Sequence, residues 1–117
     1  MSGNTSREKG KRWEKKICHW FISVGFRANR LLGRKGEPDI RVEIPEGWCL
    51  YIEAKHHKKV NLRQAVTQAK ESSRGPNDHW AVCAKDDRNE EIWIFPKELA
   101  ERFQVGLLHT KPMEIDE

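Results

Sequence analysis

A pair of alternating apolar segments in the middle of the chain restricts the fold more than any other feature. The apolar positions are Ile40, Val42 and Ile44 in the first segment and Leu50, Ile52 and Ala54 in the second. Alternate residues of a strand point to opposite faces of a sheet, so strands are predicted over 39–44 and 48–55. The Pro-Glu-Gly sequence at 45–47 is a turn signal, and it predicts that the two strands pair as a hairpin.

Apolar residues at helical spacing flank this hairpin. In residues 6–24 they include Trp13 and Trp20, which predicts a helix that places both tryptophans in the core and ends at Gly25. Asn61 is predicted to cap a second helix that runs to about residue 73. The remaining predicted elements are strands at 26–32, 79–85 and 91–95 and a short helix at 97–103.

The resulting element order, αβββαββα, predicts the α/β class, more closely a mixed α+β sheet with helices packed on it. A chain of 117 residues fits one domain. We therefore expect 1–117 to form a single domain, with 1–6 and 110–117 as loose termini.

Positive charge is concentrated in the first part of the chain. Residues 1–70 hold 16 Lys and Arg against 7 Asp and Glu, whereas residues 71–117 hold 6 against 11. This asymmetry favours an anionic partner that contacts the first part.

Other features bear on the compartment. No apolar run approaches the ~20 residues that a membrane-spanning helix needs, and no signal peptide is readable. Three cysteines without a CxxC pair argue against a structural zinc site and favour a reducing compartment. We therefore expect a cytoplasmic protein with no membrane partner.

Two acidic residues and a lysine fall on the polar face of the predicted hairpin. Glu53 and Lys55 are two residues apart and project to the same face of the second strand, and Asp39 begins the first strand beside them. Hard oxygen ligands suit Mg²⁺ or Mn²⁺, and a lysine beside them can orient a water and offset transition-state charge. The arrangement predicts phosphodiester hydrolysis. The alternative is an ordinary turn at Pro38-Asp39 and a solvated strand face.

These residues resemble the motif of the PD-(D/E)xK nuclease superfamily, here Pro38-Asp39 followed by Glu53-Ala54-Lys55. Within it the chain is most similar to the archaeal-type Holliday junction resolvases and related phage enzymes. The segments that carry the likeness are Lys9-Gly10-Lys11-Arg12-Trp13-Glu14, Gly25-Phe26-Arg27-Ala28-Asn29-Arg30, Pro38-Asp39-Ile40 and Ile52-Glu53-Ala54-Lys55. The likeness covers about residues 7–96 and implies a restriction-endonuclease-like αβββαβ core.

The resemblance implies a Mg²⁺-dependent endodeoxyribonuclease in which Mn²⁺ can substitute. Asp39 and Glu53 are then metal ligands, Lys55 activates the water, and Glu14 completes the acidic cluster. Glu14 can also be an ion-pair partner of the basic residues around it on the first helix.

The second helix and the basic residues supply further candidates. Gln68, or alternatively Gln64, resembles a glutamine that lies beside the site in such nucleases, although both can belong to a hydrated helix face. The expected contacts to DNA come from basic side chains around the motif, namely Arg7, Lys11, Arg30, Arg34, Lys35, His56, Lys58 and Lys59.

The function that follows is the resolution of Holliday junctions in recombination and repair, in a prokaryotic cell or a phage-infected host. Four-way junctions are two-fold symmetric and need paired cuts, so a homodimer is expected. Residues 31–36 contain no serine, although junction-resolving relatives usually carry one in this loop. The alternatives are another nuclease of the superfamily (nicking, end-processing or restriction-like) and a DNA-binding module without catalysis.

Overall fold

The computed structural model describes residues 6–31, 37–72 and 75–108. Its elements are α1 (Ser6–Ser23), β1 (Arg27–Arg30), β2 (Ile40–Ile44), β3 (Trp48–His56), α2 (Leu62–Glu71), β4 (His79–Lys85), β5 (Glu91–Ile94) and α3 (Lys97–Leu108). The predicted order αβββαββα is confirmed, and only α3 is markedly longer than predicted. Of the termini predicted to be loose, 1–6 and 110–117, residues 1–5 and 110–117 lie outside the described residues, whereas Ser6 begins α1.

The five strands form one sheet in the order β1-β2-β3-β4-β5. β2 and β3 pair antiparallel, with Ile40 opposite Ile52 and Ile44 opposite Trp48, which confirms the predicted hairpin. β3 and β4 are parallel because α2 forms the crossover between them. β1 and β5 pair antiparallel with their neighbours at the two edges, so the sheet is mixed, as predicted.

The helices cover opposite faces of the sheet. The core beneath α1 contains Trp13, Ile17 and Phe21 of the helix together with Ile40, Val42, Leu50, Ile52 and Cys83 of the strands. On the other face, α2 packs Ala65 and Ala69 against Val82 and Ala84. Since side chains alternate along β3, Glu53 points away from α1, toward the side covered by α2.

The end of α1 follows the sequence prediction. Gly25 has a φ of +101°, its amide donates to the carbonyl of Ile22, and the amide of Phe26 donates to the carbonyl of Phe21, each at 3.0 Å. These bonds and the contact between the Phe21 and Phe26 rings are those of a Schellman ending. The turn directs the chain into β1.

The prediction that both tryptophans of α1 are core residues is wrong for Trp20. Trp13 is 2% exposed, and its Nε1 donates to the carbonyl of Cys83 at 2.9 Å. Trp20 is 50% exposed. It lies on the flank of the helix, where its ring packs edge-on against that of Trp93 in the edge strand β5 instead of over the sheet.

Candidate active site

The carboxylate of Asp39 is fixed against β3 at the point where β2 begins. The amide of Asp39 donates to the carbonyl of Ile52 at 3.1 Å, and its Oδ2 accepts from the amide of Ala54 at 2.9 Å. Both bonds extend the β2–β3 pairing by one residue beyond Ile40. The hairpin therefore places Asp39 beside Glu53, as the sequence predicted.

Glu53 is a buried acid on the central strand. Glu53 is only 8% exposed. Its Oε1 accepts a long hydrogen bond, 3.4 Å, from the hydroxyl of Ser72 at the end of α2. Burial, followed by the negative charge of Asp39, raises the pKa of Glu53 from 4.5 to about 7, while the charge of Lys55 opposes the rise. A hydrogen bond shared with Asp39 contributes to the higher pKa.

The close approach of two carboxyl groups has a chemical consequence. Two carboxylates in one partly dry site repel each other unless a proton or a cation lies between them. At neutral pH the Asp39–Glu53 pair therefore holds a proton or binds a positive charge. This property distinguishes the pair from the solvated strand face that was the alternative.

Lys55 completes the three-residue motif. It follows Glu53 by two positions on β3, so both side chains lie on the same face, and the Lys55 side chain is half-buried. Its charge acts directly on the Glu53 carboxyl. An ammonium group is thus held next to the acidic pair.

Glu14 reaches the same end of the sheet from α1, but its contact is with Arg30. The Nε of Arg30 lies 3.0 Å from the Oε1 of Glu14 in a half-buried ion pair. Burial raises the pKa of Glu14; the hydrogen bond from Arg30 opposes this shift, and the charge of Asp39 adds to it. Of the two possibilities that the sequence left open, the structure displays the ion pair, with a partner from β1 rather than from α1 itself.

Asp39 and Glu53 are the side chains on which binding of a divalent cation would depend. In 6–31, 37–72 and 75–108, no group of three or more His, Cys, Asp or Glu side chains is arranged to hold a metal ion. Mg²⁺ in phosphate-processing sites is usually bound by one or two carboxylates, with waters and substrate oxygens as its other ligands. The pair of half-buried Asp39 and buried Glu53 meets that requirement. The larger ligand set of Asp39, Glu53 and Glu14 stays a prediction.

On α2, the residue that contacts the site is Ser72, which sequence reasoning missed. Ser72 is 6% exposed, and its hydroxyl bonds the carbonyls of Gln68 and Ala69 as well as Glu53. Ser72 follows Ala65 and Ala69 on the buried stripe of the helix. A hydroxyl group in an otherwise apolar stripe is the sequence feature that could have indicated a contact with the site. The Gln68 side chain is exposed, and its predicted role is not tested by any contact in the structure.

The residues predicted to contact DNA differ in exposure and in their contacts. Arg7, Lys11, Lys58 and Lys59 are exposed, His56 is half-buried, and Arg34 and Lys35 lie outside the described residues. Arg30 is engaged with Glu14. Burial, together with the charges of Lys9 and Lys85, lowers the pKa of His56, so its imidazole lies in positive surroundings.

The fold is similar to that of a known DNA-processing protein. A 1.6 Å structure of Hjc from Archaeoglobus fulgidus, a Holliday junction resolvase from an archaeal hyperthermophile, superposes with a TM-score of 0.59 and 28% sequence identity. The match covers 74% of this chain and 72% of that one. It confirms the predicted fold class, a restriction-endonuclease-like α+β domain.

Comparisons at the sequence level give no further assignment. No protein-family model matches the chain, and no curated protein is significantly similar to it. None of the helices in the described residues is long and apolar enough to cross a bilayer.

Proposed function

We propose that this protein is a metal-dependent, structure-selective endodeoxyribonuclease that hydrolyses phosphodiesters in branched DNA, with the Holliday junction as its substrate. The observation that carries the proposal is the pair of half-buried Asp39 and buried Glu53 beside Lys55, on a fold similar to that of a junction resolvase. A resolvase at 28% identity supports DNA as the partner and branched DNA as the substrate class.

Each residue of the pair has a definite task in this mechanism. A divalent cation bound there would polarise the scissile phosphoryl group and lower the pKa of an attacking water. The Oδ2 of Asp39 accepts from the Ala54 amide of β3, which fixes the position of the carboxylate. Its Oδ1 is the oxygen that would bind the cation. Glu53 must be ionised to act as a ligand, so it gives up its proton when the cation binds.

Lys55 acts on the water and on the developing charge. Its ammonium group donates hydrogen bonds, which orient a water for attack and stabilise the negative charge of the transition state. Because Lys55 lies on the face of β3 that carries Glu53, it approaches the phosphate from the side of the acids. Arg30, held by Glu14, offers a guanidinium that can bind another phosphate of the same DNA.

A homodimer is part of the proposal. A four-way junction presents two equivalent strands for cutting, so two copies related by a two-fold axis match its symmetry. Light scattering is expected to give the mass of two chains at micromolar protein concentration. The mass of one chain would contradict paired cutting by a preformed dimer. The setting in which this substrate occurs is the DNA-containing cytoplasm of a prokaryote or of a phage-infected cell.

The experiment that tests the substrate class compares a four-way junction with a linear duplex of the same length and base composition. In Mg²⁺ or Mn²⁺ we expect cleavage of the junction and little cleavage of the duplex. Equal cleavage of both would replace the junction assignment with a general nuclease of the nicking or end-processing type. Binding of DNA without cleavage in any divalent cation would replace it with a DNA-binding module.

A further inference from the structure

A pocket of about 320 Å³ lies on the α1 side of the sheet, at the end where β3 and β4 finish. Five of the side chains around it are basic: Lys9, Arg12, Lys16, His56 and Lys85. The Trp13 indole forms part of its wall, with the Nζ atoms of Lys16 and Lys85 at 5.9 and 5.5 Å from the ring centroid.

The charge of this pocket is only partly neutralised. The Nζ of Lys9 lies 2.9 Å from Asp87 and that of Lys16 lies 3.4 Å from Glu91. Within the described part of the chain, neither Arg12 nor Lys85 has a carboxylate within ion-pair distance. Arg12 and Lys85 are therefore the cations of this pocket without an ion pair in the described residues, although Glu91 lies opposite Lys85 in the β4–β5 register. An anionic group is the ligand that would pair with them.

The cations are held by rigid elements. Lys85 ends β4 and precedes a turn in which the Asp86 side chain accepts from the amides of Arg88 and Glu90, at 2.9 and 3.0 Å. Asn89, with φ 64°, closes this turn and lines the pocket. On the other wall, Arg12 is adjacent to Trp13, whose indole is bonded to Cys83. A site on fixed elements binds with little loss of conformational entropy.

The pocket lies across the end of β3 from the acidic pair. His56 follows Lys55 directly and points to the opposite face of the strand. On α1, Glu14 is turned to Arg30 of β1, whereas Lys9, Arg12 and Lys16 form a separate stripe turned to the β4–β5 turn. A strand of DNA that passes over this end of the sheet would meet both places.

We propose that this pocket is a second DNA-backbone site, in which Arg12 and Lys85 each bind a phosphate of the strand that continues beyond the acidic pair. The inference rests on the proposed function for its ligand. It adds Arg12 and Lys85 to the basic residues, Arg7 and Lys11 among them, that the sequence predicted to contact DNA.

The test is the double variant Arg12→Gln/Lys85→Gln, compared with Arg27→Gln/Lys97→Gln. The control removes the same charge from two exposed residues at the opposite end of the sheet. Anisotropy of a labelled junction in EDTA gives the affinity without cleavage. Each lost phosphate contact reduces the salt exponent by about 0.9 and the affinity about eightfold at ~0.1 M salt. We expect the pocket variant to lose about 60-fold and the control to lose far less.

Equal affinities and equal salt exponents for the two double variants would overturn the inference. Arg12→Gln alone, at an exposed position, serves if the double variant unfolds, with an expected loss of about eightfold. Cleavage by the wild type is measured in parallel. If the wild type cleaves the junction but the pocket variant binds it as tightly as the wild type does, only the second site is overturned. If the pocket variant binds more weakly but the wild type does not cleave, only the proposed function is overturned.

Discussion

The carboxyl group of Glu53 is buried, and the negative charge of Asp39 at the start of β2 acts directly on it and helps to raise its pKa. Folding places them there because the amide of Ala54 holds Asp39 while the alternation of β3 turns Glu53 to the same place. A protein gains nothing in stability from this arrangement at neutral pH, since ionised Glu53 is disfavoured. A bound cation would favour the ionised form of Glu53, which is the ground on which we propose the pair as a cation site.

The first prediction concerns stability without metal. The pKa of Glu53 is raised in the folded state from 4.5 to about 7, so folding is favoured by its proton below pH 4.5, and this contribution is lost as the pH rises through 7. Glu53→Gln has no proton to lose. The free energy of unfolding of the variant minus that of the wild type is therefore expected to rise by about 3 kcal/mol when the pH is raised from about 4.5 to 8.

Urea denaturation in EDTA at both pH values measures this difference. Glu101→Gln is the matched control, since Glu101 is an exposed acid that pairs with Lys97 at 3.7 Å. Its difference from the wild type should be small at both pH values. A Glu53→Gln difference that does not change with pH would show that Glu53 titrates normally.

The second prediction concerns the cation itself. Mg²⁺, Mn²⁺ or Ca²⁺ that binds only the folded protein stabilises it by about 2.7 kcal/mol at 100 times its Kd. We expect such stabilisation at about pH 8 for the wild type and Glu101→Gln, and its loss in Asp39→Asn and Glu53→Gln. Thermal unfolding with and without the cation is the measurement. If the cation raises the Tm of Asp39→Asn as much as that of the wild type, the cation binds at another site.

The third prediction separates the two roles of Glu14. If Glu14 supports the metal centre, Glu14→Gln weakens Mg²⁺ binding by about tenfold, less than Asp39→Asn does. Arg30→Gln is expected to act in the opposite direction, because it removes a cation and releases the Glu14 carboxylate from its partner. Titration calorimetry compares the two variants. Unchanged Mg²⁺ affinity in Glu14→Gln would restrict Glu14 to its ion pair.

The fourth prediction concerns Ser72. Its hydroxyl bonds Glu53 and the end of α2, so Ser72→Ala should slow cleavage about tenfold while DNA binding is retained. Thr67→Ala is the control on the same helix, since the Thr67 hydroxyl bonds the carbonyl of Arg63 on the exposed face. Equal cleavage rates for the two variants would leave Ser72 as a helix-end residue only.

Much of the fold was predictable because local rules and burial agree along the chain. The alternation in β2 and β3, the cap at Asn61 and the ending at Gly25 each follow from a few neighbouring residues. The Asp39–Glu53 contact was predictable for the same reason, since a hairpin fixes which residues lie opposite each other.

The parts that were missed depend on contacts between distant segments. Arg30 pairs with Glu14 and Ser72 with Glu53 only after α1 and α2 have packed on the sheet. Trp20 matched the helical period but fell on the flank of α1, where the sheet does not cover it. Helical spacing gives the direction of a side chain, and the width of the covering sheet decides its burial.

The most direct test of the Asp39–Glu53 pair is cleavage of a four-way junction by the wild type and by Asp39→Asn in Mg²⁺, with binding measured in parallel. We predict cleavage by the wild type, loss of at least about a hundredfold in the variant, and comparable binding by both. Cleavage by Asp39→Asn at the wild-type rate would contradict the assignment of the Asp39–Glu53 pair as the catalytic centre.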